Sequence, residues 1–90
     1  MGIMAVKIKI MPKSLETDLT KIEEEVRIML KTCDVKNPKF EMQPIAFGLK
    51  ALIVLFGWPE EKEFEGFENN LMKIKGVSSI KVIDMRRVIG

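Results

Sequence analysis

Two helical stripes of identical spacing, standing 45 residues apart, constrain this chain more than any other feature of its sequence. Leu19, Ile22, Val26 and Met29 are spaced three, four and three, so they share one face of a helix while Glu23, Glu24, Arg27 and Lys31 face water. Phe64, Phe67, Leu71 and Ile74 repeat that spacing. Thr17 or Asp18 can cap the start of the first helix, since a short side-chain oxygen there accepts from a free backbone N–H. The second helix carries acidic residues early, Lys73 and Lys75 late, and Gly76 in the position that closes a helix; Gly66 weakens it.

Around these stripes the periodicity changes from 3.6 to 2. Met4 to Met11 alternates, with Met4, Val6, Ile8 and Ile10 on one face and Ala5, Lys7 and Lys9 on the other, which predicts a half-buried strand stopped by Pro12. Lys39 to Gln43 alternates around Phe40 and Met42 and predicts a second strand ended by Pro44. Lys50 to Trp58 is an almost continuous apolar run bounded by Pro59, too short for a helix that would also contain Gly57, and reads as a central strand. Val77 to Met85 predicts a fourth strand, with Ile80 and Val82 facing the core and Ser79 and Lys81 facing out.

The element order is therefore β-α-β-β-α-β, and the two halves are structural repeats. Two interleaved right-handed strand-helix-strand units give an α+β, ferredoxin-like sandwich: a four-stranded antiparallel sheet, two helices on one face, and the first and third strands central. A chain of 90 residues is expected to form one such domain over residues 1–90.

Composition excludes more than it identifies. No apolar run has the roughly 18 to 20 residues of a membrane helix, and the amino terminus alternates Lys with Ile where a signal peptide would have an apolar core, so the chain reads as cytoplasmic. A net charge of +2 supplies no field of the kind that drives nonspecific nucleic-acid binding. Cys33 is the sole cysteine and there is no histidine, which removes an internal disulfide, CxxC sites and every Ser/His or Cys/His arrangement. No metal or cofactor site is expected, and no catalytic residue.

The face of the sheet opposite the helices offers a row of the third strand, either Leu52, Val54 and Phe56 or Ile53 and Leu55. Lysine stems, Ile83 and a flanking loop are expected to cover it, or else a partner does. An RNA-recognition module needs stacking aromatics there, and Phe56 is the only candidate beside Lys7 and Lys9. An acyl-phosphate hydrolase needs a phosphate-cradling loop after the first strand, and Met11-Pro12-Lys13-Ser14 has neither glycine nor arginine. Binding a small regulator, with dimerisation through the sheet, or binding a protein remains.

Between the second and third strands, Pro44-Ile45-Ala46-Phe47-Gly48-Leu49-Lys50 places an aromatic in a turn. By its residues alone, Phe47 either folds back under its own loop or stands exposed. The stretch resembles the loop-plus-strand signature of the guanine nucleotide exchange domain of translation elongation factor 1-beta, and the chain looks like its stand-alone archaeal form. A first strand ending "KIMP", a helix opening "DLTKIEEEV" and the segment "IKGVSSIKVIDMRRV" extend the resemblance over the whole chain.

The resemblance implies a non-enzymatic exchange factor that docks on the GTPase elongation factor 1-alpha and promotes GDP release and GTP rebinding, without a direct nucleic-acid partner. It implies that Phe47 contacts the partner's second domain, with Pro44 fixing the loop's entry and Gly48 permitting its turn. Ile45 and Ala46 belong to the same contact, and Lys50 either touches its rim or is a solvated strand residue. The opposite end of the domain is implied to approach the nucleotide-binding domain. Eukaryotic relatives are implied to place a lysine near their carboxyl terminus there. This chain ends Arg86-Arg87-Val88-Ile89-Gly90, so Arg86 and Arg87 are the candidates either for disturbing the nucleotide site or for rim contacts. A homo-oligomer is not implied.

Overall fold

The computed structural model describes residues 2–89. Its elements are β1 (Ile3–Pro12), α1 (Leu19–Thr32), β2 (Lys39–Pro44), β3 (Lys50–Pro59), α2 (Glu65–Met72) and β4 (Val77–Ile89). All strand pairs are antiparallel and the sheet order is β2-β3-β1-β4, so β1 and β3 are central. The architecture is the expected ferredoxin-like β-α-β-β-α-β. Pro12, Pro44 and Pro59 are the last residues of their strands, where a missing N–H costs the ladder least.

The core lies between the helices and one face of the sheet. Val6, Ile8 and Ile10 of β1 and Leu52, Val54, Phe56 and Trp58 of β3 meet Ile22, Val26 and Leu30 of α1 and Phe67 and Leu71 of α2. The register fixes which row is which: Val6 opposes Phe56, Ile8 opposes Val54 and Ile10 opposes Leu52, and directly opposed residues share a face. Phe56 is thus a core residue, contrary to its expected place on the open face. It packs with Trp58, Phe64 and Phe67 at centroid separations of 5.7 to 6.3 Å. A strand that is apolar on both faces does not reveal its parity; the register with β1 does.

The open face carries Ala51, Ile53 and Leu55 of β3. Ile53 stands between Lys9 of β1 and Glu41 of β2, and Leu55 between Lys7 and Lys39. Long charged side chains lay their aliphatic stems over such neighbours, and Ile53 is only 3% exposed although no helix covers it. Ile83 sits at a register shift between Val82, paired with Ile8, and Asp84, paired with Lys7, and is exposed.

Local chemistry sets the helix ends. Asp18 caps α1 by accepting from the N–H groups of Thr20 (3.0 Å) and Lys21 (3.4 Å). α2 is shorter than its apolar stripe: Phe64 is its N-cap, Lys73 its C-cap, and Ile74 follows in a turn. Gly76, expected to close the helix directly, instead takes φ +96° at the entry to β4, and its carbonyl accepts from Lys13 N–H at 2.9 Å. β4 runs four residues beyond its expected end at Met85, because β1 continues to pair with it down to Ile3. Charged residues that break alternation are tolerated on an edge strand.

Candidate docking surface

Every buried side chain among the described residues is apolar. The β2–β3 connection is closed by backbone hydrogen bonds. Pro44 opposes Lys50 as the last ladder pair; beyond it, Ile45 N–H donates to Leu49 C=O at 2.8 Å and Leu49 N–H to Ala46 C=O at 3.1 Å. Ala46 to Leu49 is therefore a β-turn with Phe47 and Gly48 at its centre. Both have positive φ, +58° and +78°, the pattern of a type I′ turn, whose twist suits a hairpin.

Glycine takes that conformation freely, whereas phenylalanine does so at a cost of roughly 1 to 2 kcal/mol. Burial does not offset it, because Phe47 is 92% exposed. The other four phenylalanines are placed differently. Phe56, Phe64 and Phe67 pack together with Trp58, and the Phe40 ring lies 4.5 Å under the Arg27 guanidinium. Phe47 sits in a hydrogen-bonded turn and is presented to solvent. Pro44, Ala46, Gly48 and Lys50 around it are exposed too, and Ile45 is half-buried.

Two exposed apolar residues neighbour this hairpin. Leu15, in the β1–α1 loop, is 66% exposed, and its Cδ2 lies 3.5 Å from where a Cβ on Gly48 would stand. Met42 of β2 opposes the core residue Leu52 yet, on the edge strand, is 41% exposed. Between the loop and the hairpin lies an open cleft of about 390 Å³, lined in part by Pro12, Leu15, Leu19, Met42, Leu49 and Lys50. The signal for Leu15 was present in "KSLETD", where one large apolar residue interrupts a polar loop.

Arg86 and Arg87 lie at the far end of the sheet. β3 leads there in ten residues from Lys50, beside the hairpin, to Pro59, a span of about 30 Å. The two arginines are not brought together. Arg86 opposes Ala5 on the open face and holds Asp84, two residues back on its own strand, at 2.8 Å. Arg87 opposes Met4 and makes a 2.8 Å ion pair from Nε to Glu60 in the turn after β3. Glu60 is itself tied down, its N–H donating to Gly2 C=O at 2.9 Å.

Comparison with known proteins bears on what such a two-ended molecule does. Residues 5–88 match the model of the EF-1 guanine nucleotide exchange domain. Elongation factor 1-beta of Methanosarcina acetivorans is 40% identical over 89 residues, covering 98% of this chain and 100% of that protein. Elongation factor 1-beta of Staphylothermus marinus is 35% identical over 91 residues, covering 98% and 99%. That of Methanothermobacter thermautotrophicus is 36% identical over 90 residues, covering 99% and 100%. The match spans both the hairpin and the arginine end of the sheet, and it is to archaeal proteins of the same length. The chain belongs to the elongation factor 1 guanine nucleotide exchange domain family, and its function is nucleotide exchange in translation elongation.

Proposed function

We propose that this chain acts as a single domain that docks on the GTPase elongation factor 1-alpha through the Phe47 hairpin and opens its nucleotide site from the opposite end. It binds both the GDP-bound and the nucleotide-free GTPase, favours the latter, and works in the cytoplasm without catalysing a covalent step. The observation that carries this reading is Phe47: a rigid, strained turn that holds an aromatic ring 92% exposed has no account in the stability of the fold. Aromatic side chains fixed in advance are common binding hot spots, because little freedom is lost when they are buried by a partner. Pro44, Ile45, Ala46 and Gly48 fix the hairpin's path, and Lys50 supplies a rim contact.

Linkage supplies the mechanism. A protein that binds the nucleotide-free GTPase more tightly than the GDP-bound form weakens GDP binding by the same factor, and each tenfold effect requires about 1.4 kcal/mol of differential affinity. A rigid platform about 30 Å long is suited to this, since it holds one end fixed while the other bears on the nucleotide site. In this reading a cation brought near the magnesium and phosphate groups removes the diphosphate's counter-ion. Arg86 and Arg87 are the residues at that end, and arginine acts there as a hydrogen-bonding fork more than as a point charge. The test is displacement of a fluorescent GDP from elongation factor 1-alpha by unlabelled nucleotide. Addition of this protein accelerates the release; an unchanged rate at micromolar protein contradicts the reading.

A further inference from the structure

Phe47 is not the only large apolar side chain displayed at this end of the molecule. The loop between β1 and α1 contains a second β-turn, closed by Thr17 N–H donating to Ser14 C=O at 3.2 Å, with Leu15 at its second position. Phe47 holds the same position in the turn from Ala46 to Leu49. The Leu15 turn is braced further: Ser14 N–H donates to Thr17 Oγ1 at 3.2 Å, and Glu16 N–H to Ser14 Oγ at 3.3 Å. It is anchored on both sides, by Lys13 N–H on Gly76 C=O and by Asp18 as the cap of α1.

Leu15 contributes little to the core from there, being 66% exposed and no part of the buried cluster. The two turns are adjacent, because Leu15 Cδ2 comes within 3.5 Å of the Cβ position on Gly48, the residue that follows Phe47. The two separately braced turns thus adjoin, each with an exposed apolar tip, and Leu15, Met42, Gly48 and Leu49 line the 390 Å³ cleft between them.

We infer that Leu15 is a second docking residue, seated against the same partner surface that receives Phe47, and that an apolar side chain of that partner enters the cleft between the two turns. The inference rests on the docking role of the Phe47 hairpin and extends it to a different loop. The occupant is the GTPase itself, because the cleft is continuous with the hairpin and its rim pairs one cation, Lys50, with an Asp18 already engaged as a helix cap. A surface dominated by neither sign suits a largely apolar contact from a protein.

The experiment measures stimulated GDP release as a function of exchange-factor concentration for the intact protein and for Leu15→Ser, Phe47→Ala and the double variant, with the melting temperature of each. Leu15→Ser is expected to raise the half-maximal concentration about tenfold, to leave the maximal rate unchanged and to leave melting within about two degrees of the parent. The double variant is expected to lose less than the product of the two single effects, since both residues serve one contact. If Phe47→Ala weakens docking and Leu15→Ser does not, the inference fails while the hairpin's role stands. If neither variant changes the half-maximal concentration, the hairpin's role fails and the inference falls with it. A large loss of melting temperature in Leu15→Ser overturns the inference by making Leu15 a packing residue; Leu15→Met, which keeps volume and apolarity, then restores melting.

Discussion

Phe47 and Gly48 stand next to each other in left-handed backbone conformation, at φ +58° and +78°, where a type I′ hairpin normally has Asn followed by Gly. Phe47 is the unfavourable member of the pair. Phe47→Asn is therefore expected to stabilise the protein by about 1 kcal/mol, read as a higher denaturation midpoint at unchanged slope, while weakening its action on the GTPase. A variant that is both less stable and less active would show that the ring contributes to packing.

Gly48 and Gly76 both have positive φ, but their surroundings differ. A Cβ on Gly48 makes an ordinary contact with Leu15, so Gly48→Ala should cost only the backbone strain of about 1 to 2 kcal/mol. A Cβ on Gly76 falls 2.8 Å from Thr17 Cγ2, inside van der Waals contact. Gly76→Ala should therefore cost more, by about another 1 to 3 kcal/mol, and Thr17→Ser, which removes Cγ2 and keeps the hydroxyl, should recover part of the difference. Chemical denaturation of the three single variants and the Gly76/Thr17 double variant checks this.

Arg86 and Arg87 make exposed ion pairs, with side chains 69% and 63% accessible, and such pairs contribute at most about 1 kcal/mol each. Replacing both with alanine is expected to change melting by no more than a few degrees. Concentration-dependent exchange kinetics should show a larger fall in the maximal rate than in docking affinity. Equal losses in both quantities would make the arginines rim contacts.

The fold was legible because helix and strand have different periods, and Pro12, Pro44 and Pro59 each mark a strand end. Other features, the face of Phe56 and the length of β4 among them, were not legible. The face on which Phe56 lies was hidden by a strand apolar on both sides, and only pairing with β1 shows it. The length of β4 was hidden because Asp84, Arg86 and Arg87 interrupt alternation, although backbone pairing does not depend on side-chain polarity at a sheet edge. At the candidate site, the peptide "PIAFGLK" located the hairpin, but its turn type was unreadable because Phe occupies a place where Asn is expected. Leu15 escaped because turn-tip exposure depends on which loops meet at one end of the sheet, a property of the tertiary arrangement.

The most direct measurement compares the parent protein with Phe47→Ala in the release of fluorescent GDP from elongation factor 1-alpha, alongside thermal melting of both. The parent should accelerate release, and Phe47→Ala should require at least about tenfold more protein for the same effect at an essentially unchanged melting temperature. Undiminished exchange by Phe47→Ala, or a melting temperature lower by several degrees, would contradict the assignment of this ring to the partner.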